Sequence, residues 1–404
     1  TTTPLDVETT HAGAIAVAAG PLIGGAVTTW WTWRLVFAGE VVIVVAILAA
    51  ARKITDVPPE ERKPLDVVGI LLSAAGLGMA VYGVLRSGEW GWVLPKPGAP
   101  DVAGLSVTVW LVLAGLVVVR IFFWWEEHRV ATGREPLVQT SMLGDRQLAG
   151  GLTMFFFQFL IQAGLFFTIP LFLSVALGLS ALETGVRLLP LSVTLLLAAT
   201  GVPRLWPRAS PRRVVTWGLA ALLAGIISLV AALEVGAGAA IVTVPLLFAG
   251  LGVGALASQL GAVTVSAMPD EMSGEVGGLQ NTATNLGASL GTALAGSVLI
   301  SALTASFLAG IATNPDVPDA VVQQASVDLA GGIPFLSDES LDQALTDAGV
   351  DPTTAQAVVD ENTAARIDGL RISLSVLGLI TLVAIFFTRL LPSRPVGETV
   401  QSSA

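Results

Sequence analysis

Apolar positions along the chain gather into ten long runs, roughly 12–30, 34–51, 66–85, 104–125, 148–175, 182–201, 214–233, 240–266, 276–301 and 369–388, separated by shorter polar stretches. A helix needs about 20 mostly apolar residues to cross the hydrocarbon core of a bilayer. Within each run the apolar residues cover every face of a helix. They do not alternate as barrel strands of about 10 residues would. No water is present in the bilayer core, so each segment must satisfy its own backbone. The pattern predicts an all-α transmembrane protein with ten spans.

Two connections stand out. Residues 86–103 are rich in Gly, Pro and Trp, and residues 302–367 show only weak helical patterns, over 317–329 and 338–348. Basic residues orient the spans, because loops on the cytoplasmic side carry the excess of Lys and Arg. One set of connections holds Arg52, Lys53, Arg62, Lys63, Arg129, Arg134, Arg146, Arg204, Arg208, Arg212, Arg213, Arg389 and Arg394, which is 13 of the 20 basic residues. The alternate set holds Arg34, Arg86, Lys96, Arg366 and Arg371, and Arg120 and Arg187 fall inside spans. The first set is therefore expected in the cytoplasm, with both chain ends. Trp30, Trp31, Trp33, Trp90 and Trp92 then mark the outer interface, and Trp124, Trp125 and Trp206 the inner one.

Composition changes this picture in one respect. Hydrophobic residues make up 53% and charged residues 12%, against about a quarter charged in a soluble domain. Yet the net charge is −10, from 20 basic and 30 acidic residues. The segment 302–367 alone holds ten acids and one base, Arg366, so the rest of the chain is nearly neutral. The acidity belongs to one extracytoplasmic segment and says nothing about a membrane cavity.

The same counts exclude several chemistries. There is no cysteine and only two histidines, His11 and His128. A disulfide framework, a cysteine zinc site and a thiol nucleophile are thereby excluded, and neither histidine has partners at metal-ligand spacing. An acidic chain argues against nucleic-acid binding. No GxxxxGK phosphate loop and no nucleophile–base set is present, so neither an ATP-driven pump nor an enzyme is expected, and no cofactor. The run GVGALA at 252–257 imitates a dinucleotide fingerprint but has no strand before it and lies within a span.

The first run is dense in small residues: Gly13, Gly20, Pro21, Gly24 and Gly25. Gly13, Gly20 and Gly24 are seven and four apart, on one helical face, a spacing that lets a second helix approach closely. Pro21 removes a backbone hydrogen bond and kinks the helix. A second small-residue stripe runs through Ala283, Gly287, Gly291 and Ala295, and a third through Gly250, Gly254 and Ser258.

The stretch GAIAVAAGPLIGG (13–25), followed by WTWRLVF (31–37), resembles the antiporter motif on the fifth helix of the fourteen-helix drug:proton antiporters of the major facilitator superfamily. The order of the remainder is similar too. PLDVVG (64–69) precedes two extra spans, GVRLLP (185–190) resembles the start of the family's tenth helix, and 274–296 resembles its glycine-rich thirteenth. The long outer segment before the last span is also a family feature. The resemblance implies a major facilitator superfamily helix bundle that exchanges protons for a lipophilic substrate by rocking two bundles. Counted this way, the ten spans correspond to family helices five to fourteen, and the first four are not represented. At the family's usual Asn position in the sixth helix this chain has Glu40.

Polar groups inside a membrane are costly, and ionisable ones are functional candidates by default. Glu40, near Arg34, reads either as a proton-titrating acid or as a group in a wet outer vestibule. Ser180 and Glu183 read as a capping box, and Arg187 lies one turn further on. Gln158 with Gln162, Gln259, and Asn281 with Asn285 sit on three separate spans and are expected around a polar central cavity. Phe155, Phe156, Phe157, Phe166 and Phe167 read mainly as lipid or core contacts.

The expected organisation is residues 1–51 as the last two helices of the N-terminal bundle, 52–147 as a cytoplasmic loop with two linker helices, 148–388 as the C-terminal six-helix bundle, and 389–404 as a cytoplasmic tail. The expected protein is a monomeric plasma-membrane exporter whose partners are a small lipophilic substrate, protons and the bilayer. The alternatives are a dedicated exporter of one endogenous metabolite and a non-transporting membrane remnant.

Overall fold

The computed structural model describes residues 20–52, 65–329 and 332–395. Among them are twelve α-helices and one two-residue hairpin. The helices are α1 (20–30), α2 (Arg34–Ala51), α3 (Val67–Trp90), α4 (Val107–Ala131), α5 (Arg146–Leu171), α6 (Ala181–Leu205), α7 (Pro211–Ala232), α8 (Thr243–Val265), α9 (Ser273–Thr313), α10 (Asp319–Asp328), α11 (Asp338–Asp347) and α12 (Pro352–Phe387). Nine of these, α2 to α9 and α12, are long and apolar enough to cross a membrane. The first predicted run is helical over 20–30; its earlier part, with Gly13 and His11, lies outside the described residues.

Local chemistry starts the helices where the apolar runs begin. The Asp145 side chain accepts from the Gln147 and Leu148 N–H groups at 2.8 Å, opening α5. Ser180 and Glu183 form a reciprocal capping box that opens α6. Pro211 occupies the first turn of α7, where a missing N–H costs nothing. Within α5, Pro170 interrupts the ladder, and the helix widens into a π-type turn over Phe172–Ala176. Between α3 and α4 the chain makes a tight hairpin, Asp101–Val102 with Leu105–Ser106, turning through Ala103 and Gly104 at positive φ.

The body of the molecule is the bundle α5–α9 with α12. Its core includes Ile161, Leu173, Leu219, Leu222, Leu246 and Leu256, all fully buried. Apolar side chains gain little from meeting each other instead of lipid, so close backbone approach must hold such helices together. A Cβ on Gly287 or Gly291 would collide with the Phe156 or Leu160 carbonyl oxygen of α5. Gly250 and Gly254 meet α6 in the same way. Gly252 meets Gly218 of α7, where a Cβ would stand 2.5 Å from the carbonyl oxygen. The glycines of the apparent dinucleotide fingerprint thus serve two helix crossings.

The predicted outer segment is more helical than hydropathy suggests. α9 has 41 residues and α12 has 36, so at about 1.5 Å per residue each is far longer than a core of about 30 Å requires. The hydropathy scan ends where the apolar surface ends, not where the helix ends. Beyond that point α9 and α12 continue together, joined by α10 and α11, around a second apolar cluster that includes Leu303, Phe307, Ile311, Val317 and Val358. The result is a small helical cap.

Candidate functional site

α1 crosses the start of α6 through backbone. A Cβ on Gly25 would stand 2.6 Å from the Ala181 carbonyl oxygen, and one on Gly185 would collide with the Pro21 carbonyl. The Thr29 hydroxyl accepts the Leu182 N–H at 3.0 Å, one of the donors a helix start leaves free. The contact therefore runs through Pro21 and Gly25, one position round from the Gly20–Gly24 face, which meets nothing within 4 Å.

α2 buries none of its residues. Glu40 and Arg34 are both exposed on it, and the Arg34 guanidinium lies 5.6 Å from the Trp33 ring centre. Glu183 is engaged by Ser180, whose N–H it accepts at 2.9 Å, and Arg187 is exposed one turn deeper.

The five amides are not gathered in one place. Gln158 is buried on α5, and Gln162 is half-buried one turn on. Their side-chain carbonyl oxygens are both shielded and accept no hydrogen bond. Gln259 of α8 is half-buried and donates to Ser258 Oγ at 3.3 Å. Asn281 and Asn285 are exposed and paired, with Nδ2 of Asn285 donating to Oδ1 of Asn281 at 2.7 Å. Together with Leu77, Gly78 and Val81 of α3 they line a groove of about 390 Å³. Two positions along a helix is 200° of rotation, so Asn285 points away from Gly287 and from α5. The glutamines and asparagines thus serve different surfaces.

A polar cluster that the hydropathy reading passed over lies at the ends of α3 and α4. Asp66 caps α3, accepting from the Gly69 N–H at 3.0 Å, and also accepts the Trp125 indole N–H at 3.0 Å. Arg129 Nε lies 3.3 Å from Asp66 Oδ2, and the same guanidinium donates to the Glu135 carbonyl oxygen at 2.7 and 2.9 Å. Glu126, 0% exposed, accepts the Leu137 N–H at 2.6 Å through Oε2. Its Oε1 is shielded and lies against Asp66. A Cβ on Gly69 would collide with both carboxyl groups, which is why a glycine stands there in the DVVG run. Burial pushes the Asp66 carboxyl up, but the Gly69 and Trp125 N–H groups and the Arg129 guanidinium outweigh it and hold the group below its ordinary 3.8. The cluster ties the segment after α4 to the start of α3. Among the described residues no group of three or more His, Asp or Glu side chains could hold a metal ion.

With this arrangement established, comparison with known proteins places the chain. The family model described as Major Facilitator Superfamily matches residues 11–292, and the chain belongs to that family of multi-pass membrane transporters. Among its relatives, the tetracenomycin C resistance and export protein of Streptomyces glaucescens is 30% identical over 289 residues, 71% of this chain and 51% of the relative. The multidrug resistance protein Stp of Mycobacterium tuberculosis is 25% identical over 298 residues, 74% of this chain and 52% of the relative. The multidrug efflux pump LfrA of Mycolicibacterium smegmatis is 26% identical over 369 residues, 87% of this chain and 68% of the relative. The chain spans about half the length of the first two.

Proposed function

We propose that the protein exports small lipophilic molecules across the plasma membrane in exchange for protons, by alternating access between two helical bundles. In this reading residues 148–388 form one bundle, residues 1–51 belong to the other, 52–147 link them, and 389–404 is a cytoplasmic tail. Both ends face the cytoplasm, and the protein works as a monomer in the bilayer.

The observation that carries this reading is the crossing of α1 with α6. It brings the backbone of Pro21 and Gly25 against that of Ala181 and Gly185. Two rigid bundles can part and rejoin across such a seam with little side-chain rearrangement. The printed names of the relatives, resistance and export proteins among them, support export as the direction. The shielded carbonyl oxygens of Gln158 and Gln162 are acceptors without donors, as a substrate or a water inside a transport cavity would require. Glu40, Arg34 and Arg187 are the candidates for the proton and charge steps, with Gln259, Asn281 and Asn285 as polar lining.

Proteoliposomes carrying the protein expressed from its own gene should move ethidium, a lipophilic cation, when a pH gradient is imposed. Gln158→Leu should slow that movement about tenfold, the effect of one hydrogen bond. Gly25→Leu should abolish it by forcing α1 off α6. Transport indifferent to the gradient, or no movement of any compound in a lipophilic panel, would reject proton-coupled export. A second reading, export of one dedicated metabolite, is favoured by the relative named for a single compound. Movement of one panel member alone would support it.

A further inference from the structure

Two grooves meet at the end of the bundle where α7 begins and α12 finishes. The first has a volume of about 760 Å³ and runs between α6 and α7 over α8, lined by Leu197, Leu205, Val214, Trp217, Leu251 and Ala255 among others. Its lining is almost wholly apolar, and Arg213 is its one charged side chain. The second has a volume of about 550 Å³ and lies between the start of α7 and the end of α12, lined by Ser210, Arg212, Arg213, Thr216, Arg389 and Ser393 among others. Arg213 and Trp217 belong to both, so an apolar channel opens directly onto a basic one.

Neither lining contains a carboxylate. Among the described residues Arg212, Arg213 and Arg389 form no ion pair. The backbone there is already engaged: the Arg212 N–H donates to the Pro392 carbonyl at 3.2 Å, and Arg146 donates to the Arg389 carbonyl at 3.3 Å. What remains without an acidic partner is three guanidinium groups, that of Arg389 lying 5.8 Å from the Phe386 ring centre, and their planar donor arrays match phosphate oxygens. A soluble anion would use the basic groove and leave the apolar one empty. A neutral lipid would do the reverse. An amphiphile with an anionic head uses both, and basic pockets between helices at the inner membrane face suit such headgroups.

We propose that the double groove binds an anionic phospholipid, with its phosphate among Arg212, Arg213 and Arg389 and an acyl chain between α6 and α7. The site lies apart from the α1–α6 seam, and the proposal does not depend on the transported substrate.

The test is native mass spectrometry of the delipidated, detergent-purified protein titrated with phosphatidylglycerol or phosphatidylcholine. Phosphatidylglycerol should bind about tenfold more tightly than phosphatidylcholine. The triple variant Arg212→Ala, Arg213→Ala, Arg389→Ala should lose that preference, whereas Arg204→Ala with Arg208→Ala, outside both grooves, should keep it. Ala221→Trp fills the apolar groove without touching the arginines and should weaken both lipids. Equal binding of the two lipids by the unaltered protein, or a preference that survives the triple variant, would overturn the proposal. So would phosphatidylglycerol binding that inorganic phosphate displaces and Ala221→Trp leaves unchanged, which would make the groove a free-anion site. Thermal unfolding of each variant shows whether it is folded. The triple variant changes only exposed side chains, so it remains decisive if Ala221→Trp does not fold.

Discussion

Two buried ionic centres, at opposite ends of the helices, fasten irregular segments to the bundle by opposite means. In the cap the buried member is a cation. Arg366 is 1% exposed, donates to the Leu336 carbonyl at 2.8 Å and to Thr363 Oγ1 at 3.2 Å, and pairs with Asp338, which is 42% exposed. At the ends of α3 and α4 the acids Glu126 and Asp66 are buried together with their cation, with side-chain exposure of 10% for Arg129 and 3% for Asp66. A guanidinium gathers acceptors from a chain whose carbonyls are unpaired; a carboxylate gathers donors from helix starts and straps whose N–H groups are unpaired. The cap also owns an apolar cluster, so its centre orients a structure that burial already supports. The segment 135–138 is held to Arg129 and Glu126 by polar contacts. The cost of breaking such a centre depends on what is left behind in the dry.

Arg129→Met should produce the largest loss. It removes the cation from an Asp66 carboxylate that stays buried, and uncompensated buried charge costs about 3 kcal/mol or more. Chemical denaturation in mild detergent would measure it, and hydrogen exchange should show 132–139 released first. Arg366→Met should cost less, about 2 kcal/mol, because the half-exposed Asp338 can take up water once its partner is gone. Exchange should then rise across α10 and α11 while α5–α8 stay protected. An Arg366→Met loss equal to or larger than the Arg129→Met loss would mean that the exposure of the surviving carboxylate does not set the cost.

Much of this was legible in the sequence, and the rest was hidden for definable reasons. The apolar runs marked the spans because hydrocarbon imposes one rule on every such segment. Gly287 and Gly291 stood out as a stripe because close approach demands small residues at helical spacing. The outer reach of α9 and α12 left little hydropathy signal, since those turns face water and a partner helix together. The stretches 317–329 and 338–348 could be marked, and α10 and α11 lie within them. Glu126 was invisible as a site because an acid at the end of an apolar run reads as an interface residue. Its partner Asp66 is 60 positions away, and only the α3–α4 crossing brings the two together. The separation of Asn281 and Asn285 from Gln158 and Gln162 depended on which side of α9 each neighbour occupies, which periodicity alone does not state.

The smallest expected effect separates the two centres by acid. Asp66 has its folded-state carboxyl held below 3.8, so it contributes stability that is fully present above the unfolded value and is lost as pH falls through the folded value. The loss can reach at most about 1.4 kcal/mol per pH unit for one carboxyl. Amide protection of Gly69, whose N–H the Asp66 carboxylate accepts, should therefore decline below about 4, the ordinary range of an aspartate. In Arg129→Met the guanidinium no longer lowers the Asp66 value, so the decline should begin at higher pH and be shallower in total. A decline that begins at the same pH with and without Arg129 would mean that Gly69, Trp125 and Glu126 set the carboxylate without the cation, leaving Arg129 only its hold on Glu135.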